Sequence, residues 1–327
     1  MTARAGTWRP DILGPDYAAM TLEVPRPDGT PRRATVVHHR PAGPRPTPTR
    51  PVLYIHGWSD YFYNTGLAEF YTGHGYDFYA LDLHNHGRSL VDAELGGYAD
   101  DLADYFDEIR AAHGVIASSA PDGGGSPVPV ILMGHSTGGL IAALWAKRFP
   151  ELVSQLVLNS PWLEIQGGAA VRKAAAPLVR PVAERRPLTR MRVPERTFYW
   201  RGISKDAYGD WPVDKRMRPP QAFPVRAGWM QAILAAQQEV ARGLALPMPV
   251  LVLLSSRSLL GPVWNDAMLH ADVVLDVRAL AVRSLSLGSS VAVERVTGAL
   301  HEVFLSNTAV REDAYFRLDR WLHGYAR

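Results

Sequence analysis

The chain of 327 residues contains no cysteine, which excludes a disulfide framework, a thiolate nucleophile and any metal site built on cysteine. Long apolar runs are also missing, because no window approaches the roughly 18 uninterrupted apolar residues of a membrane span. Residues 1–14 show no continuous apolar stretch behind Arg4. We therefore expect neither a secretory signal nor an integral membrane span, and we expect a cytoplasmic protein.

Neither sign of charge is in large excess, since the chain contains 35 Lys and Arg residues and 32 Asp and Glu residues. The distribution is uneven, however. Residues 161–249 hold 15 basic and 7 acidic side chains, a local charge of +8, and the remainder carries −5. This block is either a solvated arginine-rich face or a surface that attracts an anionic substrate or lipid. No basic tail or nucleic-acid-binding motif accompanies it, so nucleic acid is not an expected partner.

Short apolar runs alternate with helical patterns along most of the chain. The runs at 52–55, 77–83, 130–133, 156–158, 250–254 and 291–296 predict strands, and the spacing over 100–112, 138–149 and 309–322 predicts helices. Two earlier extended runs, 21–24 and 34–39, flank a Pro-Asp-Gly-Thr turn and predict a β-hairpin. The alternation predicts a mostly parallel sheet with helices on both faces.

This alternation stops at Pro161. Nine prolines lie between Pro161 and Pro224, so we expect only short helices there, apart from a longer one over 229–242. The sequence thus predicts a core built from residues 1–160 and 247–327, interrupted by an inserted segment at 161–246.

Residues 134–138 read Gly-His-Ser-Thr-Gly, which fits the G-x-S-x-G pattern of a nucleophile elbow. The pattern follows a predicted strand and opens a predicted helix, as that turn requires. The flanking glycines leave room for the sharp turn, which lifts the central side chain above the sheet. Ser136 is therefore the candidate nucleophile.

A serine hydroxyl needs a general base, which is itself oriented by an acid. In hydrolases with this elbow the chain order is serine, acid, histidine. Of the 11 histidines, only His270, His301 and His323 follow the inserted segment. His301 comes directly after the last predicted strand, whereas His323 lies near the end of the terminal helix. His301 is therefore the predicted base.

The run at 52–55 ends in His56-Gly57-Trp58. A turn at this position is where a second donor for a developing oxyanion is expected, so we predict that the backbone N–H groups of Trp58 and Thr137 form the oxyanion hole. The aromatic side chains of residues 58 and 61–63 either line a substrate pocket or belong to the core.

Three segments carry a resemblance to a known family: His56-Gly57, Leu-Asp-Leu-His-Asn-His-Gly-Arg-Ser at 81–89, and Gly-His-Ser-Thr-Gly-Gly at 134–139. They resemble the α/β-hydrolase superfamily, and within it the monoglyceride lipase and lysophospholipase-like branch that is often labelled serine aminopeptidase. The second segment matches D-x-x-G-H-G-x-S except that Asn85 replaces the customary glycine. The resemblance covers roughly 51–161 and 249–322 and leaves out the inserted segment.

This resemblance implies an α/β-hydrolase fold in which residues 161–246 form a helical cap, or lid, that controls substrate entry. It also implies a carboxylic ester hydrolase that forms an acyl-enzyme on Ser136, takes a lipophilic, monoacylglycerol-like small-molecule ester and needs no metal or organic cofactor. An amidase or peptidase, and a thioesterase or acyltransferase, would use the same triad. The intact Ser136 and His301 disfavour a ligand binder without activity. His84 and His86 lack the further Asp and His of a metallo-hydrolase, so no metal site is expected.

The acid of the triad is where this sequence departs from the family pattern. In the family the acid lies a few residues beyond the strand at 250–254, but residues 255–258 contain no carboxylate. The later candidates are Asp266, Asp272 and Asp276. Asp272 begins an Asp-Val-Val that resembles the family's D-x-V and lies 29 residues before His301, near the family spacing. We therefore predict Asp272, since Asp266 lies in an apparent insertion and Asp276 at the start of a predicted helix.

Overall fold

The computed structural model describes residues 3–26, 32–43, 48, 50–119, 128–192 and 197–325. These residues form one sheet of ten strands. The strands are β1 (Arg4–Ala5), β2 (Arg9–Asp11), β3 (Gly14–Val24), β4 (Arg32–His39), β5 (Arg50–Ile55), β6 (Tyr76–Asp82), β7 (Val130–His135), β8 (Val153–Asn159), β9 (Val250–Ser255) and β10 (Val291–Val296).

The sheet has the order β1-β3-β4-β6-β5-β7-β8-β9-β10, with β2 paired to β3. From β6 to β10 every neighbouring pair is parallel, whereas β1 to β4 pair antiparallel and β4 joins β6 in the same way. The predicted hairpin is present as the antiparallel pair β3 and β4, and its turn lies outside the described residues. The carboxyl ends of β5, β7, β8 and β9 therefore meet along one edge, where a parallel sheet places its functional loops.

Helices cover both faces of this sheet, as predicted. They are α1 (Thr65–Gly73), α2 (Asp104–Ser118), α3 (Thr137–Arg148), α4 (Gly168–Arg185), α5 (Phe198–Ile203), α6 (Ala227–Ala241), α7 (Val277–Ser284) and α8 (Thr308–Gly324). Side chains alternate along β5, so that Leu53 and Ile55 join the core beneath α2, α3 and α6, whereas Val52 and Tyr54 join the core beneath α1 and α8. No helix in the described ranges is both long and apolar enough to cross a membrane.

The inserted segment contains a long helix, although its proline content predicted only short ones. Residues 161–246 connect β8 to β9, which are neighbours in the sheet. They include α4, which has 18 residues although Pro177 and Pro181 lie inside it. The expectation of short helices before residue 224 was therefore wrong for α4. Both prolines are exposed, so water can reach the carbonyl groups that lose a helical N–H partner. The longer helix expected at 229–242 is present as α6.

Close backbone packing fixes where α3 starts. At Gly138 a Cβ atom would lie 2.5 Å from the carbonyl oxygen of Ile55 and closer still to that of His56. The first turn of α3 thus rests directly on the loop that follows β5. Only a residue without a side chain allows this approach.

We predict that Gly138→Ala destabilises the fold by about 1–3 kcal/mol, because the added methyl group must push α3 away from β5. Gly114→Ala is the matched control. Gly114 lies inside α2 with nothing within 4 Å of its Cβ position, so alanine there should raise stability by about 0.5–1 kcal/mol through helix propensity. Denaturant unfolding measures both. Equal stability of Gly138→Ala and the wild type would show that the close approach is not a constraint.

Candidate active site

Ser136 lies at the turn between β7 and α3 and has a backbone conformation that is rare for a residue with a side chain. Its φ is 53° and its ψ is −117°. Its N–H donates to the carbonyl of Asn159 at 3.0 Å, and its own carbonyl accepts from the N–H of Trp162 at 2.9 Å. Such strained backbone persists only where the surroundings enforce it, and here the neighbouring strand and the segment after it do so.

His301 reaches Ser136 from the loop after β10. Its Nε2 lies 3.0 Å from the Ser136 Oγ, and its Nδ1 lies 2.9 Å from Oδ2 of Asp272. Two hydrogen bonds hold the backbone just before His301: Ser306 Oγ accepts from the N–H of Leu300, and Ser255 Oγ donates to the carbonyl of Ala299. The ring is almost fully buried.

Asp272 lies beside residues 255–258, the segment at the end of β9 that contains no carboxylate of its own. The chain runs outward after β9, forms a 3-10 helix at Asp266–His270 and returns so that Asp272 pairs with Ser258 in a parallel bridge. The N–H groups of Val274 and Leu275 donate to Asp272 Oδ1 at 2.7 and 2.8 Å. The carboxylate is fully buried, with one oxygen held by backbone and the other aimed at His301.

The two alternative acids have other positions. Asp276 caps α7, because its Oδ1 accepts from the N–H groups of Arg278 and Ala279. Asp266 is exposed at the start of the 3-10 helix. The structure thus brings Ser136, His301 and Asp272 into one hydrogen-bonded chain.

The loop after β5 lies against the nucleophile turn. At Gly57 a Cβ atom would meet Ser136 Cβ at 3.2 Å. Among the described residues, the backbone N–H groups of Trp58 and Thr137 have no hydrogen-bond partner. Thr137 also starts α3, whose N-terminal end favours negative charge. These two N–H groups are therefore free to bind an oxyanion.

Three tryptophan rings pack together where the loop after β5 meets residues 161–246. The indole of Trp58 stacks on that of Trp229 with ring centres 4.5 Å apart, and Trp162 packs on Trp229 at 5.8 Å. Of the other aromatic residues after β5, Phe62 belongs to the core. Tyr61 and Tyr63 instead line a separate cavity of 620 Å³, whose wall includes none of the three residues of the hydrogen-bonded chain.

The His84 and His86 loop is structural. His84 Nδ1 pairs with the buried Glu108, and His86 Nδ1 lies 2.9 Å from the carbonyl oxygen of His84. Asp82 binds Arg88 at 2.8 Å, and its other oxygen accepts from the N–H of Phe62. Within the described ranges no group of three or more His, Asp or Glu side chains could hold a metal ion.

A buried polar group behind the site was missed by sequence reasoning. Asp60 and Arg218 form an ion pair at 2.9 Å with both side chains buried. The His135 ring lies nearby, 4.0 Å from Asp60 and 3.6 Å from Glu302. Burial raises the pKa of Asp60, although Arg218 opposes the rise, and burial lowers the pKa of His135 well below its usual range. Asp60 could have been singled out because it lies two residues after Trp58, and Glu302 because it directly follows His301. No local pattern marks Arg218 as the buried partner of Asp60.

Comparison with known proteins identifies the family. The family model described as "Serine aminopeptidase, S33" matches residues 46–271. The match therefore includes Ser136 and ends before Asp272 and His301. It also runs through residues 161–246, which we had expected to lie outside the resemblance. The chain is 27% identical over 238 residues to a monoacylglycerol lipase of Mycolicibacterium smegmatis, an alignment that covers 69% of this chain and 76% of the relative.

Solved structures show the same architecture. The monoacylglycerol lipase of Paleococcus ferrophilus superposes with a TM-score of 0.61 at 18% identity, over 86% of this chain and 97% of that protein. A soluble variant of the monoglyceride lipase of Saccharomyces cerevisiae superposes with a TM-score of 0.64 at 14% identity, over 98% and 94%. These similarities confirm the predicted α/β-hydrolase fold. The family match covers more than half of the chain and shows that the chain belongs to the serine aminopeptidase S33 family.

Proposed function

We propose that this chain is a serine hydrolase that cleaves carboxylic esters through an acyl-enzyme on Ser136. The observation that carries the proposal is the continuous chain from Asp272 through His301 to Ser136, with distances of 2.9 and 3.0 Å. In this catalytic triad His301 Nδ1–H donates to Asp272, which leaves Nε2 free to accept the serine proton. The family membership supports the same chemistry.

In the first half of the reaction Ser136 Oγ attacks the ester carbonyl carbon while its proton moves to His301 Nε2. The carbonyl oxygen becomes an oxyanion that the N–H groups of Trp58 and Thr137 bind. As the tetrahedral intermediate collapses, the bond to the leaving oxygen breaks and His301 Nε2 gives its proton to that oxygen. The alcohol leaves, and the acyl group stays on Ser136.

Water completes the reaction by the same route. His301 Nε2 takes a proton from the attacking water, the oxyanion forms again in the same hole, and the proton passes to Ser136 Oγ as the carboxylic acid is released. Asp272 stays ionised throughout and stabilises the imidazolium that forms in each half-reaction. Every proton transfer takes place between this chain's own residues and the substrate, and the proposal includes neither a metal nor an organic cofactor.

The proposed substrate is a lipophilic small-molecule ester such as a monoacylglycerol. Two observations support it: the mutually packed indole rings of Trp58, Trp162 and Trp229, two of which belong to residues whose backbone adjoins the Ser136 turn, and the name of the mycobacterial relative. Residues 161–246 supply two of these three rings. We therefore propose that this segment is a cap that selects the substrate.

Trp229→Phe tests the cap. A smaller ring makes space next to the indole of Trp58, on which Trp229 stacks, so kcat/KM for medium-chain p-nitrophenyl esters should rise about tenfold relative to the acetate. The control is Trp321→Phe, because Trp321 lies on α8 and packs in the core on the other face of the sheet, so it should leave the ratio unchanged. Steady-state assays with matched amide and thioester analogues complete the series. An unchanged ratio in Trp229→Phe would contradict the cap, and a preference of the wild type for amides would contradict ester hydrolysis.

Asp272→Asn tests the acid. The asparagine amide cannot hold His301 in the required tautomer, so kcat should fall by about 10⁴-fold with the fold intact. Asp276→Asn is the control, since asparagine caps a helix about as well as aspartate, and Asp266→Asn changes an exposed side chain. Both should retain near wild-type kcat. A large loss in either control, with Asp272→Asn unaffected, would assign the acid elsewhere.

A further inference from the structure

Glu302 directly follows His301, yet the mechanism above does not use it. Its carboxyl group is buried, with 2% of the residue exposed. It lies where the loop after β10 meets the ends of β5, β7 and β8, because it contacts Tyr54, His135 and Asn159 from those strands. A carboxyl group in such a place is costly to ionise unless a cation or enough hydrogen-bond donors compensate for the lost water.

The hydrogen bonds distinguish the two oxygens of Glu302. Oε1 accepts from the N–H of Phe304 at 3.0 Å and from the side-chain amide of Asn159. Oε2 accepts from the Tyr54 hydroxyl at 3.4 Å and faces His135 Nδ1 at 3.6 Å. Neither ring nitrogen of His135 has a hydrogen-bond partner among the described residues. A proton on Oε2 would therefore point at a buried nitrogen that lacks a donor.

The surrounding charges also favour the neutral acid. Arg218 is already paired with Asp60, and His135 is uncharged at neutral pH because burial lowers its pKa. A second carboxylate here would have no cation of its own and would be repelled by Asp60. In agreement, burial raises the pKa of Glu302 to about 8.

The protonation of Glu302 depends on the titratable and charged groups of every element packed around it. They are Tyr54 on β5, Asp60 and Tyr63 on the loop that follows, His135 on β7, Tyr199 on α5, Arg218 beyond α5, His301 on the same loop and Tyr315 on α8.

We propose that Glu302 is a positioning residue that acts as a neutral carboxylic acid, with its proton on Oε2 joining the His301 loop to His135 and so to the Ser136 turn. The role rests on the proposed ester hydrolysis. Loss of the proton removes this link and adds a negative charge behind the site where the substrate oxyanion forms, which disfavours the transition state. Glu302 thereby sets the alkaline limit of activity.

Glu302→Gln tests the proposal, because an amide matches the neutral acid. Its oxygen can accept from Phe304 and Asn159, and its NH₂ group can donate toward His135. The matched control is Glu184→Gln on α4, where the carboxylate is exposed and pairs with Arg180. We expect Glu302→Gln to keep kcat/KM within about threefold of the wild type at pH 7. The wild type and the control should lose about tenfold per pH unit above pH 8, and Glu302→Gln should not.

A second readout needs no substrate. Burial raises the pKa of Glu302 from its ordinary value of 4.5 to about 8. Between these values the folded state binds more protons than the unfolded state, so the free energy of unfolding falls as pH rises. Denaturant unfolding from pH 5 to 9 should show this decline in the wild type and the control, and a smaller one in Glu302→Gln.

Coincident unfolding profiles of the wild type and Glu302→Gln would overturn the proposal, as would a Glu302→Gln chain that fails to fold or loses activity at pH 7. If the unfolding profiles differ as expected but the wild type does not hydrolyse esters, the neutral acid stands and the proposed function fails. The two failures are thus separable.

Discussion

The close approach of α3 to the loop after β5 is the constraint on which the candidate site depends. It exists because Gly138 has no side chain to separate the helix from the carbonyl groups of Ile55 and His56. This contact sets the first turn of α3, which begins at Thr137, against the loop that leads to Trp58, and Ser136 takes its strained conformation directly before that turn. We propose that this spacing lets the N–H groups of Trp58 and Thr137 bind one oxygen atom, and that a wider separation would lose the preorganisation that stabilises an oxyanion.

The proposed acid, Asp272, comes from a later stretch of the chain than the acid of the family pattern. Residues 255–258 follow β9 without a carboxylate, but the longer excursion to Asp272 returns beside Ser258. The Ser258 hydroxyl donates to the carbonyl of Leu275 and accepts from the N–H of Val277, so a serine that cannot orient His301 instead anchors the segment that does. Asp272 then meets His301 at hydrogen-bonding distance from a different position in the chain.

The parts of the site that a short motif encodes could be predicted, and the parts that depend on distant packing could not. Ser136 and His301 follow from a strand–turn–helix pattern and from chain order, and the resemblance indicated Asp272. The length of α4 was mispredicted because exposure, which makes Pro177 and Pro181 tolerable, depends on tertiary structure. The Asp60–Arg218 pair joins residues 158 positions apart, and no local sequence pattern carries that information.

The central claim is that Ser136 carries the acyl group during ester hydrolysis. The most direct measurement is acid-quenched mass spectrometry of the wild-type chain during turnover of a p-nitrophenyl ester, with Ser136→Ala beside it. We expect an added acyl mass on the peptide that contains Ser136 in the wild type, and neither acylation nor turnover in Ser136→Ala. Turnover by Ser136→Ala at the wild-type rate, or an acyl group on a different residue, would contradict it.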